Sequence, residues 1–313
     1  MTNKNAGERL HNICTLFTQY YLIQGLALYY SLKRHTSRFH LWVLCVDDTI
    51  FHLLKKMKLH NVTLIRLETI MDEKLAMIRQ ERRTHEFCWT IKSSYVTYLL
   101  NTYDLPSILY MDADLFFFKD VRHIYKEWGD NSIFLTKLWL GPKWEKKAGR
   151  YSSGLIGFKR DKTGINCLRL WQLKCLKWCY DTHINGLWGD QKYLDDWPRF
   201  FPRIKISDNK GINAGPWNIK RGHMVEGDTT YFANRKLICY HFSGFEMINE
   251  AEFELCNRKK LPAKAVNIYS AYLDEIQKVI ARIKSEDDRF MQSIIRKAPS
   301  RFYNYYGSSQ IRV

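Results

Sequence analysis

Proline is scarce in this chain, 7 in 313 residues, and no serine- or glycine-rich stretch interrupts it. That excludes a flexible linker between separate modules, and no internal repeat is visible either. Cysteine pairs of the C-x-x-C type are absent. The eight cysteines lie scattered at 14, 45, 88, 167, 175, 179, 239 and 256, without the close Cys and His grouping of a zinc site. They read as reduced thiols of a cytoplasmic protein, with Cys175 and Cys179 packing inside a helix. Long uncharged runs are also missing, with one exception, Ile13 to Leu32. Thr15, Thr18, Gln19, Gln24 and Ser31 interrupt that run, and no signal-peptide n-region or small-residue cleavage site accompanies it. It reads as a strand leading into a helix. Acidic residues are the last shortage: 32 against 49 basic ones, a net charge of +17. Such an excess attracts phosphorylated substrates, anionic lipid or nucleic acid.

What is present is a globular composition, with 46% hydrophobic and 26% charged residues, enough to bury a sizeable core. Apolar runs at His11–Phe17, Phe39–Val46, Val62–Leu67 and Ser107–Met111 read as strands. Helical spacing at 21–32, 50–58, 70–83 and 91–101 falls between them. That alternation predicts an α/β domain with a mixed, mainly parallel central sheet. Further on, 133–136, 154–158 and 237–242 read as strands and 163–180 as a helix. Residues 265–284 place apolar side chains at 266, 269, 272, 273, 276, 279, 280 and 283, one face of a long helix. The expected division is therefore a catalytic domain over 1–264 and a C-terminal extension over 265–313, the amphipathic helix and a basic, aromatic tail (Arg296, Lys297, Arg301, Phe302, Tyr303, Tyr305, Tyr306). This extension either packs back on the domain or makes a peripheral contact with the anionic cytoplasmic membrane face.

The most informative stretch is SILYMDADLFFFKD. An apolar strand ends and emits Asp112 and Asp114, two residues apart, where open α/β sheets bind ligands. Extended backbone points both carboxylates to one side, where they can share one Mn²⁺ or Mg²⁺ and leave positions for phosphate oxygens. The apolar flanks 109–111 and 115–118 sink the pair into a cleft, where unpaired carboxylates are costly without a cation.

With this stretch go TLFTQYYLIQGLALYYSL, EFCWTIKSSY, YSSGLIGFKR, WGDQKYLDDWP, NAGPWNI and YHFSGF, in an order running over roughly 12–245. On these pieces the chain resembles glycosyltransferases of the GT-A fold, most of all the retaining, glycogenin- and bacterial lipopolysaccharide galactosyltransferase-like group numbered family 8. The resemblance implies a Rossmann-like nucleotide-diphospho-sugar transferase that moves a hexose from a UDP-sugar to a hydroxyl of a saccharide, glycolipid or protein, with retention. It implies that Asp112, Ala113 and Asp114 hold metal and diphosphate and that His241 is the third metal ligand. Leu16 and Thr18 would contact the uridine, Lys92, Ser152, Ser153 and Gly154 the donor sugar, and Gly244 the phosphates. Asp190 and Gln191 would face the anomeric carbon. A tryptophan and two asparagines in NAGPWNI (Asn213, Trp217, Asn218), together with Trp188, would meet the acceptor. The related group has Lys-Pro-Trp after its histidine-glycine motif, the lysine contacting diphosphate. Here Phe245-Glu246-Met247 follows, so another cation must serve.

Two other classes compete. A nucleic-acid-binding protein would use the basic charge, although no helix-turn-helix, zinc or RNA-binding signature accompanies it. A metal-dependent phosphohydrolase of nucleotide sugars would use the acidic pair, usually with more ligands for a second metal.

Overall fold

The computed structural model describes residues 10–221, 223–226, 229–294, 303–308 and 310–313. The chain opens with β1 (His11–Phe17), α1 (Leu22–His35), β2 (Phe39–Cys45), α2 (Asp48–Met57), β3 (Val62–Arg66), α3 (Glu73–Glu81), α4 (Thr84–Thr102) and β4 (Ser107–Met111). Aspartates set the helix starts: Asp47 accepts from the Ile50 amide and Asp72 from the Leu75 amide, capping α2 and α3. After β4 come β5 (Leu115–Phe117), α5 (Arg122–Trp128), β6 (Ile133–Lys137), α6 (Pro142–Ala148), β7 (Tyr151–Lys159), α7 (Lys162–Lys177), α8 (Trp197–Phe200) and β8 (Ile204–Ser207). β5, α5, α6 and β8 were not expected. β5 is three residues long, and Ile-Lys-Ile-Ser in β8 alternates too briefly to stand out.

Seven strands form the main sheet in the order β3-β2-β1-β4-β7-β6-β8. Only β7 runs against the others, so the sheet is mixed and mainly parallel. Side chains alternate between two cores. Ile13 and Phe17, Leu41 and Val43, and Leu109 and Met111 face one core. Cys14 and Leu16, Trp42 and Leu44, and Ile108 and Tyr110 face the other. This period of two on near-continuous apolar strands is what a sheet covered on both faces requires. Helices α4 and α7 cover the second face. Cys175 and Cys179 are buried there, and all eight cysteines are free thiols.

The later chain adds β9 (His223–Glu226), β10 (Thr229–Phe232), β11 (Arg235–Lys236) and β12 (Cys239–His241). β12 pairs with β5, not with the main sheet. After β13 (Glu246–Met247) and β14 (Phe253–Glu254) comes α9 (Val266–Glu286), then α10 (Asp288–Ile294), β15 (Tyr305–Gly307) and β16 (Gln310–Arg312).

The expected apolar face of the C-terminal helix is buried apart from Val266, in the same core as β1 and β2. It packs on α1, where Arg34 and Arg282 both pair with the buried Glu275. Of the two expectations for this extension, packing back on the domain is the one observed, and the apolar face is not available to a membrane. Part of the aromatic tail is folded as well. β15 pairs with β14, and Asn304 is fully buried against Glu254. Arg296, Lys297, Arg301 and Phe302 lie outside the described residues. No helix among the described residues is long and apolar enough to cross a membrane.

Because α9 belongs to the core, Ile276→Ala should cost about 2–5 kcal/mol. Urea unfolding checks this, and a loss below about 1 kcal/mol would show that the helix is peripheral.

Candidate metal and donor site

The Asp112-Ala113-Asp114 turn joins β4 to β5. Two hydrogen bonds tie it down: the Asp112 amide donates to the Gly154 carbonyl (2.9 Å) and the Phe242 amide to the Asp114 carbonyl (2.8 Å). β5 pairs antiparallel with β12, so that His241 lies opposite Leu115. That register brings a histidine 127 positions beyond Asp114 back beside it. His241 Nε2 stands 2.9 Å from Asp114 Oδ1 and 4.0 Å from Asp112 Oδ2. One ligand atom from each of the three residues lies within 4.8 Å of the others, the one such group among the described residues.

The set fits a divalent cation. Two carboxylates and an imidazole are ligands that a divalent cation takes. The ring is oriented from behind, because His241 Nδ1 meets Asn213 Oδ1 at 3.2 Å and Asn213 Nδ2 donates to Thr136 Oγ1 at 2.9 Å. Trp217 sets its ring edge-on to the imidazole, 5.2 Å away. Gly154 supplies the room. A Cβ there would stand 2.6 Å from both Asp112 Oδ2 and His241 Cε1.

Lys92, on α4, lies inside the site. It is 3% exposed, and its ammonium bridges Asp112 Oδ1 (2.9 Å) and Asp190 Oδ2 (3.3 Å). Burial works to lower its pKa, but the two carboxylates outweigh burial and hold it above the ordinary lysine value. Asp190 is pushed the other way: burial raises its pKa, Asp112 adds to this, and Lys92 and Ser153 only partly offset it. Burial also opposes the Asp114–His241 pair. Their mutual attraction wins, so Asp114 lies below and His241 above its usual range, with Arg258 adding to the effect on Asp114.

Two hydrogen bonds hold Asp190 in place. Ser153 Oγ donates to its Oδ1 at 3.0 Å, and Trp171 Nε1 donates to its carbonyl at 2.9 Å. Gln191 is clamped at both ends of its amide. Oε1 accepts from the Ser153 amide at 3.2 Å and Nε2 donates to the Ala148 carbonyl at 2.8 Å. Ser152, Ser153 and Gly154 thus join the two halves of the site along β7. Leu16 and Thr18 stand at the carboxyl end of β1, in line with the acidic turn. Gly244 (φ +83°) lies beyond His241, against Asn257 and Arg258.

Of the residues expected to meet an acceptor, the two asparagines point inward. Asn213 and Asn218 are 1% and 4% exposed. Asn213 serves His241, while Asn218 accepts from the Gly215 amide and donates to the Leu138 carbonyl. Neither side chain is open to a ligand, because the NAGPWN turn needs both to satisfy buried polar groups. Trp188 stacks on His183 and leans on Trp89, and its Nε1 donates to Asp181.

Four contributors went unnamed at the outset. Tyr110 donates its hydroxyl to Asp112 Oδ1 at 2.8 Å. Its position two residues back on the same strand face was the available signal. Thr136, Trp171 and Arg258 gave no signal, since each reaches the site only through the fold.

No protein-family model matches the chain. Two Bacillus subtilis (strain 168) proteins do, both carried as uncharacterized. YfnD is 30% identical over 293 residues, 90% of this chain and 94% of its own. YfnF is 30% identical over 297 residues, 88% and 95%. The chain belongs to the YfnD/YfnF family. Solved structures supply the fold of this family. The galactosyltransferase LgtC, in complex with donor and acceptor sugar analogues, superposes with a TM-score of 0.54 at 14% identity, over 74% of this chain and 86% of that one. The apo glycosyltransferase GlyE of Streptococcus pneumoniae TIGR4 gives 0.54 at 14% identity, over 94% and 66%. The YfnD/YfnF-family chain thus has the GT-A glycosyltransferase fold.

Gly154→Ala should leave the protein folded but weaken Mn²⁺ binding by about tenfold or more, as neighbours of metal ligands do when disturbed. Titration calorimetry checks this, and parent-like affinity would mean the cation sits elsewhere.

Proposed function

We propose that the chain is a metal-dependent glycosyltransferase that moves a hexose from a nucleotide-diphosphate sugar, with UDP as the nucleotide, to a hydroxyl acceptor with retention. One observation carries it: the Asp112–Asp114–His241 group at the carboxyl end of a central strand, joined through Lys92 to the buried Asp190. The sugar analogues bound to LgtC, which has the same fold, support a sugar-nucleotide donor and a sugar acceptor. The phosphohydrolase alternative gains nothing, because the described residues hold one candidate metal group.

On this reading Asp112, Asp114 and His241 hold a cation, Mn²⁺ or Mg²⁺. When bound, it neutralises charge building on the departing diphosphate. Gly244, free to adopt positive φ, keeps backbone close to the phosphates. Arg258 takes the place of the missing lysine. Its Cγ would be 3.1 Å from a Cβ at Gly244, and it has no ion pair among the described residues. Asp190, fixed by Ser153 and Lys92, presents a carboxylate to the anomeric carbon as positive charge develops there. Gln191, held at both ends, fixes the position of that carbon. A front-face route, in which a leaving phosphate oxygen takes the acceptor proton, asks no side chain to become a strong nucleophile.

UDP release from UDP-hexoses should therefore need Mn²⁺ or Mg²⁺ and rise with added acceptor. Asp112→Asn should lower it by about a hundredfold or more, since a catalytic cation contributes several kcal/mol. Arg258→Ala should weaken UDP-sugar binding by about tenfold and leave uridine binding alone, as loss of one charged hydrogen bond does. Full turnover in Asp112→Asn would end the assignment.

A further inference from the structure

The segment between β6 and β7 ties together both halves of the site. At one end, the Leu138 carbonyl accepts from Asn218, next to the Trp217 that leans on His241. At the other, the Ala148 carbonyl accepts from Gln191, and Lys192 donates to the Glu145 carbonyl. The stretch between these anchors, with α6 in it, is therefore a rim of the site.

Its chemistry is one-sided. Residues 137–150 read KLWLGPKWEKKAGR, five basic residues against one acidic. Lys143, Lys146 and Lys147 are exposed and have no ion pair among the described residues. Trp144 is 57% exposed, with the Lys147 ammonium 5.6 Å from its ring. Lys137 and Lys210 stand 5.0 and 5.2 Å from the ring of Trp139, whose backbone is in the left-handed region at φ +56°. An aromatic residue held there is strained, and such strain persists where the surroundings fix it, often at binding sites. An exposed indole offers a flat apolar face to the C–H side of a pyranose ring, and neighbouring ammonium groups attract anions. Together they fit a sugar chain that carries negative charge.

We propose that this rim docks the acceptor, and that the acceptor is a glycan bearing carboxylate or phosphate groups. The proposal rests on the glycosyltransferase reading and deepens it. Asn213 and Asn218 point inward, and this rim sets an exposed aromatic surface next to Gln191.

The test is binding of the full chain to immobilised polygalacturonate, phosphomannan, neutral dextran and poly(U) at physiological ionic strength. Both charged glycans, or one of them, should bind and dextran should not, and a preference between the two identifies the anion. Binding should be lost in the triple variant Lys143→Glu, Lys146→Glu, Lys147→Glu. It should weaken severalfold in Trp144→Ala, which adds no charge and guards against a generic charge effect. Thermal unfolding verifies that both variants fold. Failure to bind either charged glycan, equal binding of dextran, parent-like binding in both variants, or preference for poly(U) would overturn the proposal. UDP release without acceptor, measured on the unaltered chain, reports on the donor side alone. Its failure would sink the glycosyltransferase reading while glycan binding is judged separately.

Discussion

The half-buried carboxylate of Asp112, where β4 ends, and the buried one of Asp190 face one ammonium, that of Lys92, while Asp114 faces His241. Three carboxylates this close in a partly dehydrated site repel one another, and burying unpaired charge is costly. His241 holds Asp114 below its usual range, while Lys92 only partly offsets the burial that raises Asp190. The rest of the site is arranged around that balance: hydroxyls of Tyr110 and Ser153 point at the carboxylates, and Asn213 orients the imidazole from behind. A site with this many carboxylates is consistent with a divalent cation.

The fold brings these groups together through two pairings. Parallel β1 and antiparallel β7 flank β4 and fix the acidic turn at the sheet edge. The small β5–β12 pair lies outside the main sheet and returns the chain so that His241 arrives beside Asp114. α9 braces that pair, with Tyr269 and Tyr272 packed on Phe242. The C-terminal helix thus supports the strand that carries His241.

Much of this was legible from residues in order. The strands up to β4 are near-continuous apolar runs separated by helical spacing, and their limits fell within a residue or two of those observed. The acidic pair announced itself by its apolar flanks. Lys92 also left a sign, a lone charge among Ile91, Tyr95, Val96 and Leu99 on a buried helix. Other features were not readable. Nothing in NAGPWN distinguishes asparagines that meet a ligand from asparagines that satisfy buried groups, because that depends on Thr136, Leu138 and His241 brought from elsewhere. α6 drew no reading from sequence, and hydrogen bonds from Gln191 and Lys192 to its carbonyls make it part of the site. The tail reads as solvated basic sequence, yet β15 and β16 complete a small sheet through Glu254 and Asn304.

The claim on which the account turns is that Asp112, Asp114 and His241 hold a cation that in turn holds a nucleotide diphosphate. Thermal unfolding with Mn²⁺ and UDP, each alone and both together, tests it most directly. Bound well above its dissociation constant, the pair should stabilise the protein by about 2–4 kcal/mol. The account predicts that this stabilisation needs both ligands, vanishes with a chelator and is absent in Asp112→Asn. Equal stabilisation by UDP with chelator present, or in Asp112→Asn, would contradict it.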